Sequence, residues 1–492
     1  MRKKVPVIFS LLLICSLVVL SGCGCKSTSK NTYQTKLEIW GLFDDSDVMT
    51  KAIGEFRKRN PRIRDISYKK MTVETYEQDL LDALATGKGP DIFLIHNTWL
   101  TKHEDKLAPA PQILDSSNQP QPIVNPKQVS DAFSDVVSQD FVRDSQIYAL
   151  PQSVDSLALY YNKDLFNQAG LTAPPKTWTE FDETVKKLTK IDSFGNITLA
   201  GAAMGASSDA SVGTGKINRA TDILTLIMMQ AGADMFDSQS NMARFADSGQ
   251  RSPNDNVSPG ESALAYYTKF SERGNSVYTW NSLMHNSVDS FIEGKTAMMI
   301  NYSWLIPKIQ AGAPKLNLGI SAVPQNKDNE GHGTDIDFAN YWGWAVSNNR
   351  TYSQEEIQTM GLTPGTLATN DQRIAEAWKL IRYLTMSPAY NQDPDFKAAD
   401  SQETANYDPA AEYAKDQKKP AARRDLIQSQ MSDILLAPFA AGNLIAQSWP
   451  QPDNLAVEKI FDEMIDDVAL RNEPALDSIK QAQNRVNLLI KR

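Results

Sequence analysis

A chain of 492 residues, 41 % hydrophobic and 22 % charged, has the composition of a folded globular protein and enough length for two domains with sizeable cores. Its formal charge of -9, with no Lys/Arg run beyond the first few residues, excludes an ordinary nucleic-acid binder, which needs a basic surface for phosphates. Three cysteines are too few for a disulfide-stapled scaffold, so the domains must be held by packing.

At the amino terminus Arg2, Lys3 and Lys4 precede an uncharged run of 16 residues, Val5 to Leu20, which is short for a membrane span and reads as a secretory signal over 1–22. Leu20-Ser21-Gly22-Cys23 resembles the bacterial lipobox, in which the chain is cut before the cysteine and lipid is attached to it. Cleavage by ordinary signal peptidase, or an uncleaved anchor, is the plainer alternative. Loss of the three basic residues takes the charge from -9 to -12. With Cys15 removed and Cys23 lipidated, only Cys25 remains, and residues 23–35 read as a polar tether.

Leu37 to Trp40 alternates as a strand and runs into a loop with Asp44, Asp45 and Asp47. Met49, Ala52, Ile53 and Phe56 form a helix face, Ile63 to Met71 a strand, and Tyr76, Leu80, Ala83 and Leu84 a second helix closed at Gly87 and Gly89. Pro90 to Ile95 is a buried strand with His96, Asn97, Thr98 and Trp99 at its carboxyl end. This alternation predicts βαβ units and a mostly parallel sheet, with ligands at the carboxyl ends of the strands. Residues 109–128 carry five prolines and read as a long loop.

The stretch 146–181 then passes from a polar loop with Asp155 into an apolar strand, Leu157 to Tyr161. A short helix (Lys163 to Ala169) and a second helix follow, the latter entered through Thr177 and Glu180 in capping-box spacing. Ala220 to Gln230 is a broadly apolar helix, and Thr296 to Ile300 a strand ending in Asn301, Tyr302, Ser303 and Trp304. Asn340 to Val346 is an aromatic-rich crossing containing Tyr341, Trp342 and Trp344, and Pro420 to Asp425 is a third crossing. The chain ends in two amphipathic helices with Trp449 ahead of them.

Nucleophile, metal and nucleotide signatures are missing: there is no G-x-S-x-G, no H-E-x-x-H and no cysteine pair with zinc spacing. Gly213 to Lys216 fails the phosphate-loop pattern, and Asp44-Asp45-Ser46-Asp47 lacks the glycine and distal glutamate of a calcium loop. No cofactor and no metal are expected. What remains is a set of aromatics at strand ends interleaved with carboxylates and amides, which suits a neutral polar ligand whose C–H faces stack on rings and whose hydroxyls bond to side chains. The candidate ligand contacts are Trp40, Asp44, Asp45, Asn97, Asp155, Tyr302, Trp304, Tyr341, Trp342 and Trp449. Trp99 and Trp344 are weaker candidates, Trp280 is unassigned, and Trp178 and Trp378 lie on helix faces and belong to the core.

GKGPDIFLIHNTWL (87–100), YALPQSVDSLALYYNKDLF (148–166) and FIEGKTAMMINYSWL (291–305) resemble, in order, motifs of the extracellular solute-binding proteins of ABC importers, in the group that includes maltodextrin-binding protein. The resemblance covers the mature chain and implies an α/β, two-lobed periplasmic-binding-protein-like fold with three interlobe crossings and a cleft between the lobes. Lobe 1 would comprise 36–153 plus 342–420, and lobe 2 158–337 plus 426–492. It further implies Asp155 as an acidic ligand contact after the first crossing and Trp304 and Trp449 as stacking aromatics. Trp40 with Asp44 or Asp45, and Asn97, would sit at the rim of lobe 1. The protein would be a monomer, lipid-anchored through Cys23 on the outer face of the cytoplasmic membrane, delivering a small molecule, a sugar above all, to ABC permease subunits. Segments 109–128, 236–259 and 349–372 depart from compact members, and the cluster 341–344 is this chain's own. Two other readings stay open: a secreted glycoside hydrolase, pairing Asp155 with Asp45 or Asp337 across ~5 to 9.5 Å, and a lipid-anchored adhesion or scaffold protein.

Overall fold

Alternating apolar strands and amphipathic helices bury both faces of a sheet, and the first third of the chain does this. In the computed structural model β1 (Thr35–Gly41), α1 (Ser46–Arg59), β2 (Ile63–Lys70), α2 (Val73–Ala85) and β3 (Ile92–His96) follow one another. The structure describes residues 33–114, 119–208, 216–248, 258–327, 331–352, 354–359, 361, 366–391, 396–398 and 401–490. The expected signal over 1–22, Cys23 and most of the tether lie outside these residues, as do 213–215. β1 runs parallel to β2 and β3 on either side, and β3 is buried at all five positions, as a strand covered on both faces must be.

The chain continues through β4 (Ala149–Leu150), β5 (Ala158–Asn162), α3 (Trp178–Leu188), α4 (Ala220–Ala231), α5 (Pro259–Thr268), β6 (Met298–Asn301), β7 (Leu318–Ala322) and β8 (Asp337–Phe338). It then forms β9 (Trp342–Val346), α6 (Asn370–Thr385), α7 (Pro409–Asp416), α8 (Ala437–Asn443), β10 (Ala446–Gln447), α9 (Asn454–Ala469) and α10 (Ala475–Ile490). One sheet has the order β2-β1-β3-β9-β4, with β9 antiparallel to both its neighbours. The other has the order β6-β5-β7, with β5 antiparallel to both. The expected parallel arrangement therefore holds for β2, β1 and β3 and fails in the second sheet. There β6 and β7 run the same way, joined through the helix Ile306–Gly312, and β5 fills the gap between them in the opposite sense.

Two large hydrophobic cores result among the described residues, with a small third cluster of Ala414, Ala421, Ile427 and Ala440 beside them, and the molecule is a two-lobed α/β protein. One gathers residues 37–154 with 339–386; the other gathers 157–338 with 436–486. Beneath the first core lies a buried ionic knot. Asp91, at the head of β3, accepts from Arg350 (2.9 Å), Arg373 (3.1 Å) and the Glu38 amide (2.7 Å). Asp91, the aspartate of GKGPDIFLIHNTWL, is thus a structural hub at the end of β3 opposite His96.

Three chain segments pass between the cores side by side. Ser156 bridges to Ala339 and Ser153 to Ala421, both antiparallel, while the Asn340 amide donates to the Asp155 carbonyl at 2.9 Å. Asn443, at the end of α8, ties two of them together: its side-chain amide donates to the carbonyls of Val154 (2.6 Å) and Ala421 (3.1 Å). Gly442 sits where a Cβ would meet the Asp337 carboxylate and the Ser156 hydroxyl at 2.4 Å, so only glycine lets α8 approach the crossings this closely.

Candidate interlobe site

The cleft between the lobes has a volume of about 510 Å³, within the range of small-molecule sites. Phe43, Asp44, Val73, His96, Trp342, Trp344 and Tyr413 line it from one lobe. Arg219, Trp304, Asn454, Leu455 and Glu458 line it from the other, and Gln152, Ser153, Asp155, Asn340 and Lys419 from the crossings.

The Trp304 platform is built in layers. β6 ends at Asn301, and the following turn lays the Trp304 ring on Tyr302, with centroids 4.3 Å apart and planes 25° from parallel. Tyr302 is fully buried and fixed: its hydroxyl donates to Asp222 (2.9 Å), and its carbonyl accepts from the Tyr160 hydroxyl (2.6 Å). Arg219 brings its guanidinium 5.2 Å from the Trp304 centroid, a cation–π contact. It does so from a left-handed backbone conformation (φ 65°), costly for a side chain of this size and a mark of a site held by its surroundings.

Asp155 bolts that platform to the first crossing. Its carboxylate accepts from the Ser303 hydroxyl at 2.6 Å and from the Ser303 amide at 3.1 and 3.2 Å. Burial pushes its pKa up to about 6, against the pull of the Ser303 bonds. Burial likewise raises Glu458 to about 7, helped by the neighbouring Asp222 charge and opposed by Arg219. On the facing lobe Trp342 is wedged by edge contacts with Phe43 (5.8 Å), His96 (5.1 Å) and Trp99 (5.0 Å). Asp44 accepts from the Tyr413 hydroxyl at 2.9 Å, and Trp344 donates its indole N–H to Gln152 at 2.9 Å. The lobes also touch beyond the crossings, where the Trp99 indole donates to Asn454 (2.8 Å) and Lys102 to Asp453 (3.0 Å).

Of the ten candidate contacts, the structure brings Asp44, Asp155, Trp304, Tyr341 and Trp342 to the lining of the cleft. The Tyr341 ring, though, packs into the first core, and its hydroxyl donates to Asp140 (2.7 Å). Trp40 is core, not rim: it is 6 % exposed, capped by Lys69 and bonded to Glu38 (2.8 Å). Asp45 lies on the outer surface beside Lys70 (2.9 Å). Asn97 is buried, its amide donating to Asp140 (3.1 Å). Tyr302 lies under Trp304. Trp449 stacks on Phe461 (6.1 Å, 23°) and lines a separate cavity of about 30 Å³ behind the cleft. Trp344, the weaker candidate, does line the cleft. Arg219, Glu458, Asn454 and Lys419 were not expected there, because charges and amides on helices and in loops read as solvated faces. Of the carboxylates that a hydrolase was expected to pair with Asp155, neither lines the cleft. Asp45 is on the outer surface, and Asp337 is buried and accepts from the amides of Leu157 (3.2 Å) and Phe338 (2.7 Å).

A family model described as bacterial extracellular solute-binding protein matches residues 51–404. The chain belongs to this family. This solute-binding protein is 24 % identical over 274 residues to a putative binding protein of Brucella abortus, covering 55 % of the chain and 57 % of that relative, so it spans little more than half of the relative's length. It is 24 % identical over 361 residues to the galactooligosaccharide-binding protein of Bacillus subtilis, covering 70 % of the chain and 74 % of that protein. The crystal structure of the cyclic α-maltosyl-1,6-maltose binding protein from Arthrobacter globiformis superposes with a TM-score of 0.64. At 17 % identity it covers 93 % of the chain and 99 % of its own, which establishes the shared two-lobed fold.

Proposed function

We propose that this solute-binding protein captures a saccharide between its lobes for an ABC importer and performs no chemistry on it. The observation that carries the reading is the pair of tryptophans, Trp304 from one lobe and Trp342 from the other, lining one cleft with Asp44, Asp155, Asn340 and Asn454 between them. Aromatic faces against sugar C–H faces, with few polar groups to fix orientation, suit such a ligand. Names of relatives support it, including the galactooligosaccharide-binding protein of Bacillus subtilis and the multiple sugar-binding protein of Streptococcus mutans. In this reading lobe 1 is 36–153 plus 342–420 and lobe 2 is 158–337 plus 426–492. The segments near 155, 340 and 421 are the hinge, and ligand contacts from both lobes favour closure. The protein is a monomer held on the outer face of the cytoplasmic membrane by lipid on Cys23, and the closed form docks on permease subunits. Among the described residues no helix is long and apolar enough to cross a membrane. A thermal-shift screen of the protein against mono-, di- and oligosaccharides tests the reading: at least one raises the melting temperature, and calorimetry then gives saturable one-site binding. A panel in which none does so overturns it.

A further inference from the structure

Beside the third crossing a second groove opens, of about 820 Å³, and it shares Trp304 and Lys419 with the cleft. Ser303, Trp304 and Gln310 form one wall and Lys415, Gln417, Lys418 and Lys419 the other. Its charge is one-sided. The single carboxylate among its lining residues, Asp433, already accepts from the amides of Leu435 (2.8 Å) and Leu436 (3.0 Å). Lys415, Lys418 and Lys419 form no ion pair among the described residues, and Glu412, one turn back on α7, is engaged by Lys51 at 2.6 Å.

In a chain carrying -9, lysines elsewhere find carboxylates easily: Lys102 meets Glu77 and Asp453, Lys269 meets Asp182, and Lys186 meets Glu183. Three lysines around one concavity, none within ion-pair distance of a carboxylate among the described residues, make a positive field that low-dielectric walls focus rather than disperse; Arg219 adds little to it, being paired with Glu458 (3.5 Å) and Asp222 (3.9 Å), and Lys419 also feels Asp44 and Asp155 from the cleft side. The backbone holds them there at a cost. Lys418 has φ 49°, in the left-handed position that ends α7, where the Lys419 amide closes the helix on the Ala414 carbonyl (3.1 Å). Glycine or asparagine is the usual occupant of such a position. A long charged side chain is kept there instead, and it lines the groove.

A neutral ligand confined to the cleft meets Lys419 but does not reach Lys415 or Lys418, which line the groove alone. A saccharide that runs past Trp304 into the groove meets Gln310 and Gln417, which suit hydroxyls, and then the lysines, which suit an anion. We propose that the groove is an anion subsite that receives the carboxylate-bearing end of the ligand, so that the protein prefers acidic oligosaccharides, such as uronate oligomers, to neutral ones. This rests on the saccharide reading of the cleft.

The test is calorimetry of the protein with tri- and tetrasaccharides of galacturonate, glucuronate and mannuronate, against maltotriose, maltotetraose and mannotriose, at low and high salt. The expected result is that a uronate oligomer binds at least ~10-fold tighter than the best neutral sugar, the equivalent of ~1.4 kcal/mol, and that this preference shrinks as salt screens the exposed lysines. In the double variant K415Q/K418Q the ratio of acidic to neutral affinity falls by about the same factor, ~10-fold. Binding of neutral sugars with none for the uronates, or a uronate affinity that neither salt nor K415Q/K418Q changes, overturns the subsite and leaves the cleft reading standing. Binding of neither sugar class overturns both.

Discussion

Replacing Trp304 by alanine removes the platform and leaves most of its support. In Trp304→Ala, Tyr302 keeps its bonds to Asp222 and Tyr160, and Asp155 keeps Ser303. The loss therefore falls mainly on the ligand. A pyranose stacked on the free part of the ring covers on the order of 80 Å² of apolar surface, about 2 kcal/mol at ~25 cal/mol/Å². The ring-face interaction adds roughly 0.5 to 1.5 kcal/mol, so affinity should fall about a hundredfold. The ring's contact with Tyr302 also contributes to folding, and its loss costs about 1 kcal/mol, a drop of a few degrees in apo melting. The assay is calorimetric titration with the tightest-binding sugar of the panel, with melting of the ligand-free variant alongside. Trp304→Phe should recover most of the affinity, and Trp40→Phe, altered in the core, should leave it intact. A loss in Trp304→Ala below about fivefold, or an equal loss in Trp40→Phe, would refute the stacking assignment.

Asp155 supplies a pH prediction with a definite sign. Its folded pKa of about 6 lies above that of the unfolded chain, near 4, so the folded state binds the proton more tightly. Its contribution to stability therefore rises as pH falls from above 6 towards 4 and is least at neutral pH, by about 1 to 3 kcal/mol. In Asp155→Asn this dependence disappears; a difference in denaturation free energy between wild type and variant that stays flat from pH 7.5 to 4.5 would contradict the burial argument. Asp91→Asn strips the counter-charge from Arg373, whose side chain is almost fully buried, while Arg350 keeps Glu38 (3.0 Å), and should cost about 3 to 5 kcal/mol in denaturant titration; a cost below about 1 kcal/mol would mean that the knot is solvated.

Much of the scaffold was legible because its signals are local. The near-continuous apolar run Ile92–Ile95 can only be a covered strand, and the Thr177 and Glu180 spacing does mark the start of α3. There Thr177 accepts from the Glu180 amide (3.2 Å), and the Glu180 carboxylate reaches one residue further back, to the Lys176 amide (2.7 Å). The site was legible only to the level of which strand ends point at the cleft. Position at a strand end places a residue near the rim but does not say which face its side chain takes, and that is how Trp40 and Asn97 were assigned outward when both turn inward. Tyr302 and Trp304 are two apart and equally aromatic, yet one is the support and the other the surface. Arg219 and Glu458 are separated by more than two hundred residues, and only the docking of α9 beside α4 brings their charges together. No local pattern carries that information.

The Asp155 geometry also separates two meanings of a recognisable motif. Expected as a ligand contact, Asp155 directs its shortest bond to the Ser303 hydroxyl, one residue before the platform tryptophan, while its own carbonyl accepts from Asn340 of the second crossing. A single residue thus joins two crossings to the Trp304 turn. Any rotation of the crossings must therefore carry the platform with it or break a buried, charge-assisted bond. In the proposed reading, ligand contact with Trp304 would reach the crossings through the Asp155–Ser303 bonds. The geometry thus gives Asp155 a joining role, through Ser303 and Asn340, beside its place in the cleft wall.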